Sequence, residues 1–154
     1  MQAILLVGIQ GSGKSTFYRE RFFDTHVRIS LDLLRTRHRE QALLRFCLET
    51  AQPFVVDKTN VRMAERARYI APARAAGFRV VGYFFEPDPA GCFERNQRRQ
   101  QPIPAAGLFG TLRRLQRPML EEGFDELYRV LLRPEGGFDV SVAASPAPSA
   151  APGC

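Results

Sequence analysis

The sequence predicts an α/β fold, a doubly wound parallel sheet of about five strands with helices on both faces. Three observations carry that expectation. Short apolar runs alternate with longer amphipathic stretches over most of the 154 residues. The first run, residues 3–7, leads straight into Gly8-Ile9-Gln10-Gly11-Ser12-Gly13-Lys14-Ser15-Thr16, which satisfies G-x-x-x-x-G-K-[ST] between a strand and a helix. A later run, Phe54-Val55-Val56, ends on Asp57, an acid at the carboxyl end of a buried strand.

The elements follow in order. Residues 3–7 are apolar at every position, as a strand covered on both faces requires, and 15–23 open the first helix. Residues 27–30 form a short strand. Residues 31–50 are mostly helical, with Leu33, Leu34, Leu43, Leu44, Phe46 and Leu48 apolar and a break near 36–39. After the strand at 53–56, Asn60 is a candidate N-cap for a helix whose Met63, Ala67 and Ile70 share a face. Pro72 is expected to kink or shorten that helix, and Gly77 suits its C′ position. Residues 78–85 are the longest strand candidate. Asp88-Pro89 reads as the N-cap and first residue of a helix reaching about Arg99. A proline-bearing connection at 101–106 then leads to a helical stripe of Leu108, Leu112, Leu115 and Met119. Residues 118–127 read as a helix exit and turn, and 127–132 as the last strand. One domain is expected over 1–143, with 144–154 a flexible Pro/Ala/Ser-rich tail.

Composition excludes some classes and suggests others. No apolar run approaches membrane-spanning length, and the chain opens on a strand instead of a signal peptide. Cys47, Cys92 and Cys154 are odd in number and lack metal-ligand spacing, which argues against a disulfide framework or a zinc site. A reducing, cytoplasmic setting is the expectation. The net charge of +6 rests on arginine, because Lys14 and Lys58 are the only lysines. Arginine's planar fork suits phosphate, hence an anionic substrate such as a nucleic acid. A general arginine bias would give the same balance, so the positions of the arginines matter more than their number.

Four features carry chemistry. Gly8, Gln10, Gly11, Ser12, Gly13, Lys14, Ser15 and Thr16 form a nest whose N–H groups converge on phosphate oxygens at a helix N-terminus. Lys14 would reach the β- and γ-phosphates of ATP, and Ser15 with Asp57 would hold Mg²⁺. Asp32, just past the second strand, is placed to take a proton from an attacking hydroxyl, with Arg35 one turn on to hold the acceptor. A helix cap with an intrahelical ion pair would use the same two residues. Asp57 and Asn60 are further acceptor-side candidates, although Thr59 and Asn60 also suit a helix start. Arg95 and Arg99 share one helical face and would neutralise the transferring phosphoryl group from a lid. A solvated basic helix end is the alternative.

Gly8 to Thr16, Asp32-x-x-Arg35, Val56-Asp57-x-Thr59-Asn60 and Arg95-Asn96-x-x-Arg99 followed by Pro-Ile-Pro together resemble the kinase domain of phage-type and animal polynucleotide 5′-hydroxyl kinases. The resemblance spans about residues 3–133. It implies a P-loop kinase fold with a helical lid, ATP and Mg²⁺, and the 5′-OH end of RNA or DNA as acceptor. It also implies Asp32 as general base, Arg35 on the phosphate 3′ to the attacked hydroxyl, and Arg95 and Arg99 on the donor phosphates. Lys58 departs from the family pattern, which often has a small or amide residue there. A small-molecule kinase acting on a nucleoside, sugar or antibiotic would show the same base, loop and lid. A non-catalytic nucleotide-dependent switch would need no base at Asp32.

Overall fold

A strand apolar at every position must be covered on both faces, and the centre of this sheet is built so. In the computed structural model, which describes residues 1–100 and 102–144, the chain runs β1 (Gln2–Val7), α1 (Lys14–Arg21), β2 (Val27–Ile29), α2 (Leu31–Leu34) and α3 (Arg37–Thr50). It continues through β3 (Phe54–Asp57), α4 (Met63–Ala75), β4 (Arg79–Phe85), α5 (Pro89–Gln97) and α6 (Ala105–Arg114). A 3-10 turn (Leu120–Glu122), β5 (Glu126–Leu132) and β6 (Phe138–Ala144) complete it. The sheet order is β2-β3-β1-β4-β5-β6, parallel except for the antiparallel β5–β6 pair.

Side chains on β1 divide by parity. Ala3 and Leu5 join Phe54, Val56, Val80 and the inner faces of α3 and α4, through Cys47, Tyr69, Ile70 and Ala73. Ile4 and Leu6 join Val55, Val81, Phe85 and α1 on the other face. Phe17 of α1 centres that second layer, with the rings of Phe22, Tyr83, Phe85 and Phe138 between 5.1 and 5.9 Å away. Full burial of one such ring stabilises the fold by roughly 1.5–3 kcal/mol. Two layers of helices therefore clamp one sheet, the doubly wound arrangement expected. Chain order reverses beside β1, since β2 and β3 lie to one side and β4 and β5 to the other. In such sheets ligands gather at that crevice, outside the carboxyl ends of the strands.

Several local expectations change. The sheet gains a sixth strand, β6, joined to β5 by a turn in which Gly136 and Gly137 take φ of 102° and 81°. Its last residue, Ala144, belongs to the strand and not to the tail expected over 144–154; residues 145–154 lie outside the described residues, as does Gln101 in the proline-bearing connection. Helix α4 is capped by Arg62, not Asn60. Asn60 instead takes φ of 48° and donates its side-chain amide to the Leu6 carbonyl at 2.9 Å, tying the exit of β3 to β1. Pro72 does not end α4, which runs on to Ala75, and Gly77 follows with φ of 81°. The break in residues 31–50 falls where expected, with Thr36 accepting from the Arg39 N–H as the cap of α3. Asp88 likewise caps α5, accepting from the Gly91 N–H. Helix α6 stops at Arg114, so Leu115 and Met119 leave the predicted stripe.

Candidate active site

The phosphate loop sits between the end of β1 and the start of α1, and its glycines are needed for two separate reasons. Gly11 has φ of 76°, and a Cβ there would meet the Cys92 carbonyl of α5 at 2.8 Å. Gly13 has φ of 96°, and a Cβ there would press on the Phe138 ring of β6 at 3.0 Å. The loop is therefore held between the lid and the last strand, with only backbone at the points of contact.

Lys14, 9% exposed, curls back into the loop. Its Nζ donates to the carbonyls of Gly8 and Ile9 at 2.9 and 2.8 Å and meets Ser12 Oγ at 3.3 Å. Burial pulls its pKa down to about 8, opposed chiefly by the charge of Asp57. Ser15 Oγ donates to Asp57 Oδ2 at 3.0 Å, which places the hydroxyl and the carboxylate side by side. Arg28 reaches the same carboxylate: Nε and Nη2 each lie 2.8 Å from Asp57 Oδ2, and Nη2 is 3.3 Å from Ser15 Oγ.

One cavity of about 440 Å³ collects the predicted residues. Gln10, Gly11, Gly13, Lys14, Ser15, Thr16, Asp32, Asp57, Arg95 and Arg99 all line it. Six cationic side chains, Lys14, Arg19, Arg28, Lys58, Arg95 and Arg99, face two carboxylates there. Such a wall attracts a polyanion. Gly8 and Ser12 do not line it; the Gly8 carbonyl and Ser12 Oγ face Lys14 Nζ instead. Arg35 and Asn60 are not on the cavity wall. Arg35 closes α2 with φ of 74° and is exposed, while Asn60 is 1% exposed with its amide on the Leu6 carbonyl.

The lid is α5 and α6. Arg95 Nε donates to the Gly11 carbonyl at 2.6 Å, so one of the predicted phosphate ligands also ties the lid to the loop. Gln10 Nε2 donates to Thr111 Oγ1 of α6 at 3.0 Å, and Ile9 packs with Cys92 and Leu108. Asn96, fully buried, holds the connection between the two helices through both side-chain atoms, to the carbonyl and N–H of Ile103.

Arg28, Arg19 and the holding role of Asn96 are not evident in the sequence. The one available signal for Arg28 was a charge inside a short apolar strand, a position that needs a partner when half-buried. Lys58 is tied back by Tyr69 Oη at 2.7 Å and Glu40 at 3.5 Å. That link holds the Lys58 side chain towards α3 and α4.

Ser15 and Asp57 suit a hard divalent cation, because both offer oxygen on the cavity wall. No group of three His, Cys, Asp or Glu side chains among the described residues forms a metal cage. Magnesium fits this set, since it is commonly held by one or two protein oxygens plus substrate phosphates.

Fold and site together define a P-loop, kinase-like nucleotide-binding domain. Residues 4–118 match the family model described as an AAA domain, and the chain belongs to that family. Among solved structures, it is similar to a gluconokinase from Sinorhizobium meliloti, with a TM-score of 0.61 and 19% identity over 84% of this chain and 82% of that one. Kti12 from Chaetomium thermophilum, solved with ADP-AlF3, gives a TM-score of 0.59 and 17% identity over 84% and 88% of the two chains. The Mycobacterium tuberculosis APS kinase, solved with AMPPNP and APS, gives 0.53 and 19% over 84% and 87%. At these identities the likeness is one of fold. No helix among the described residues is long and apolar enough to cross a membrane.

Proposed function

We propose that this protein is a kinase that moves the γ-phosphate of ATP to the hydroxyl of a small acceptor. One observation carries the reading: Asp32 shares a single cavity with Lys14, Ser15, Asp57, Arg95 and Arg99. A switch needs no carboxylate on the wall of its phosphate cavity, and Asp32 makes no hydrogen bond or ion pair among the described residues. In the proposed reaction Asp32 accepts the acceptor's hydroxyl proton as that oxygen bonds to the γ-phosphorus. The bond from that phosphorus to the β-phosphate oxygen breaks, and ADP leaves. Lys14 and the loop N–H groups hold the β- and γ-phosphates, and Arg95 and Arg99 neutralise charge from the lid side. A magnesium ion, when bound at Ser15 and Asp57, would neutralise phosphate charge.

The kinases of similar fold whose names give an acceptor, gluconokinase and APS kinase, support a small acceptor. A polynucleotide 5′-OH end is the second reading, favoured by the Asp32-x-x-Arg35 spacing and by the Arg95-Asn96-x-x-Arg99 lid. The position of Arg35 off the cavity wall removes one support from it. Labelled ATP, incubated with a panel of sugars, sugar acids, nucleosides, nucleotides and 5′-OH oligonucleotides, tests both. Asp32→Asn should lose about 10²–10⁴-fold in transfer while ADP still binds. Unchanged turnover in that variant would leave a simple ATPase or a switch. Transfer confined to oligonucleotide ends would establish the second reading.

A further inference from the structure

A second cavity, of about 480 Å³, opens beside the first and is lined by Ser15, Tyr18, Arg19, Phe23, Arg28 and Leu33. Ser15, Arg19 and Arg28 border both, so the two spaces adjoin across α1 and β2. The volume is that of a small-ligand site. Its lining combines two features that a bare surface does not explain. Phe23 and Leu33 are 66% and 61% exposed, on the turn after α1 and on α2. Both line one cavity, whereas exposed apolar side chains are ordinarily scattered. Two guanidiniums line the same cavity: Arg19, which is exposed, and Arg28, which lies 5.8 Å from the Tyr18 ring centroid and is held by Asp57 until a metal at Ser15 and Asp57 releases it. Asp32, next to Leu33 in the chain, lines the first cavity.

We propose that this cavity is the acceptor's subsite, and that it takes a hydroxyl compound carrying an anionic group beside an aromatic or apolar body. The proposal rests on the kinase reading of the neighbouring cavity and names the acceptor class for it. The apolar body covers Phe23 and Leu33, the anionic group meets Arg19 and Arg28, and the hydroxyl projects past Ser15 towards Asp32. Binding energy from the two remote groups then serves to orient the hydroxyl. A plain polyol acid would satisfy the arginines and leave the apolar pair in water. An uncharged aromatic alcohol would do the reverse.

The test uses the full chain saturated with Mg²⁺ and ADP, which fills the phosphate side. Anilinonaphthalene sulfonate, an aromatic anion, is titrated by fluorescence, and ADP affinity is measured separately by calorimetry. The dye should bind alongside ADP, and Phe23→Ser and Leu33→Ser should each weaken it by about tenfold, the loss of one partly covered apolar side chain. Their ADP affinity should stay within about twofold of wild type, a change well under 1 kcal/mol. Both residues are exposed, so folding is not at stake. In the label-transfer assay, acceptors with a ring and an anion should outcompete gluconate, and Phe23→Ser should erase that preference. Dye that ADP displaces, dye affinity unmoved by both substitutions, or a preference of ring-and-anion acceptors over gluconate that is absent in wild type or unchanged in Phe23→Ser would each overturn the proposal. Failure of ADP itself to bind would overturn the kinase reading instead.

Discussion

Two cations in this fold lie almost beyond the reach of water, and their partners differ in kind. Arg66, wholly buried on α4, donates Nε and Nη2 to the two carboxylate oxygens of Glu122 at 2.7 and 3.0 Å. Its Nη1 meets the carbonyls of Asn60 and Val61. That set locks the exit of β3 to the turn before β5. Among the described residues Lys14 has only the carbonyls of Gly8 and Ile9 and the Ser12 hydroxyl, while Asp57, the carboxylate that acts most on it, is engaged by Arg28. A buried cation matched by a carboxylate holds a structure together. One matched by dipoles alone keeps its charge for an arriving anion.

The largest effects should separate the pair cleanly. Lys14→Ala should abolish phosphoryl transfer, a loss on the order of 10³-fold or more, because the charge at the β- and γ-phosphates goes. Its stability should remain within ~1 kcal/mol of wild type. Arg66→Met should do the opposite. Glu122 would be left buried without its partner, costing about 3–5 kcal/mol, and the double change with Glu122→Leu should recover most of it. Chemical denaturation and the label-transfer assay read the two axes. Transfer at wild-type rate by a folded Lys14→Ala protein would remove the nucleotide from this loop.

Local chemistry decides which of these features the sequence discloses. The P-loop was legible because its residue types follow from chemistry: glycines at φ of 76° and 96°, and a lysine inside the loop. The apolar strands were legible for the same kind of reason, since burial on both faces admits little else. Arg66 with Glu122 was not, because the partners stand 56 positions apart and nothing local marks them. Strand β6 was hidden differently. Gly136-Gly137 and the alternation Phe138, Val140, Val142 were present, but the strand is an exposed edge running into the uncharged end of the chain. Its one deeply buried residue, Phe138, packs against Phe17 and faces Gly13 from below. Asn60 misled because helix-capping residues also suit the left-handed conformation it adopts.

Arg28 sharpens the contrast, because it keeps Asp57 from serving Lys14 fully. Its guanidinium meets both Asp57 and Ser15, the two groups suited to magnesium. Binding the metal there must displace it. Arg28→Ala should therefore increase the gain in ADP affinity that Mg²⁺ confers, by about fivefold, the equivalent of ~1 kcal/mol for a partly exposed pair. Calorimetric titration of ADP with and without Mg²⁺ reads this directly. A smaller gain in the variant would make Arg28 a structural link to β3 and nothing more.

The smallest predicted effect is also the most specific to Lys14. Its pKa falls to about 8 from 10.5, chiefly through burial, so above that pH the free protein sheds the proton. Bound phosphate favours the charged form and raises the pKa again. ADP binding in this window must therefore take up a proton, and affinity should fall above about pH 8, towards tenfold per unit. Stability should respond with the opposite sign. The unfolded chain holds this proton up to 10.5, so between 8 and 10.5 it binds more protons than the fold, and this group's contribution to stability rises with pH. Calorimetry in two buffers of different ionisation enthalpy measures the proton uptake. Lys14→Arg, which stays charged throughout, should bind ADP with a flat profile over the same range. A wild-type affinity that stays level to about pH 9.5 would mean that Lys14 is charged in the free loop. The distinction from Arg66 would then rest on partners alone.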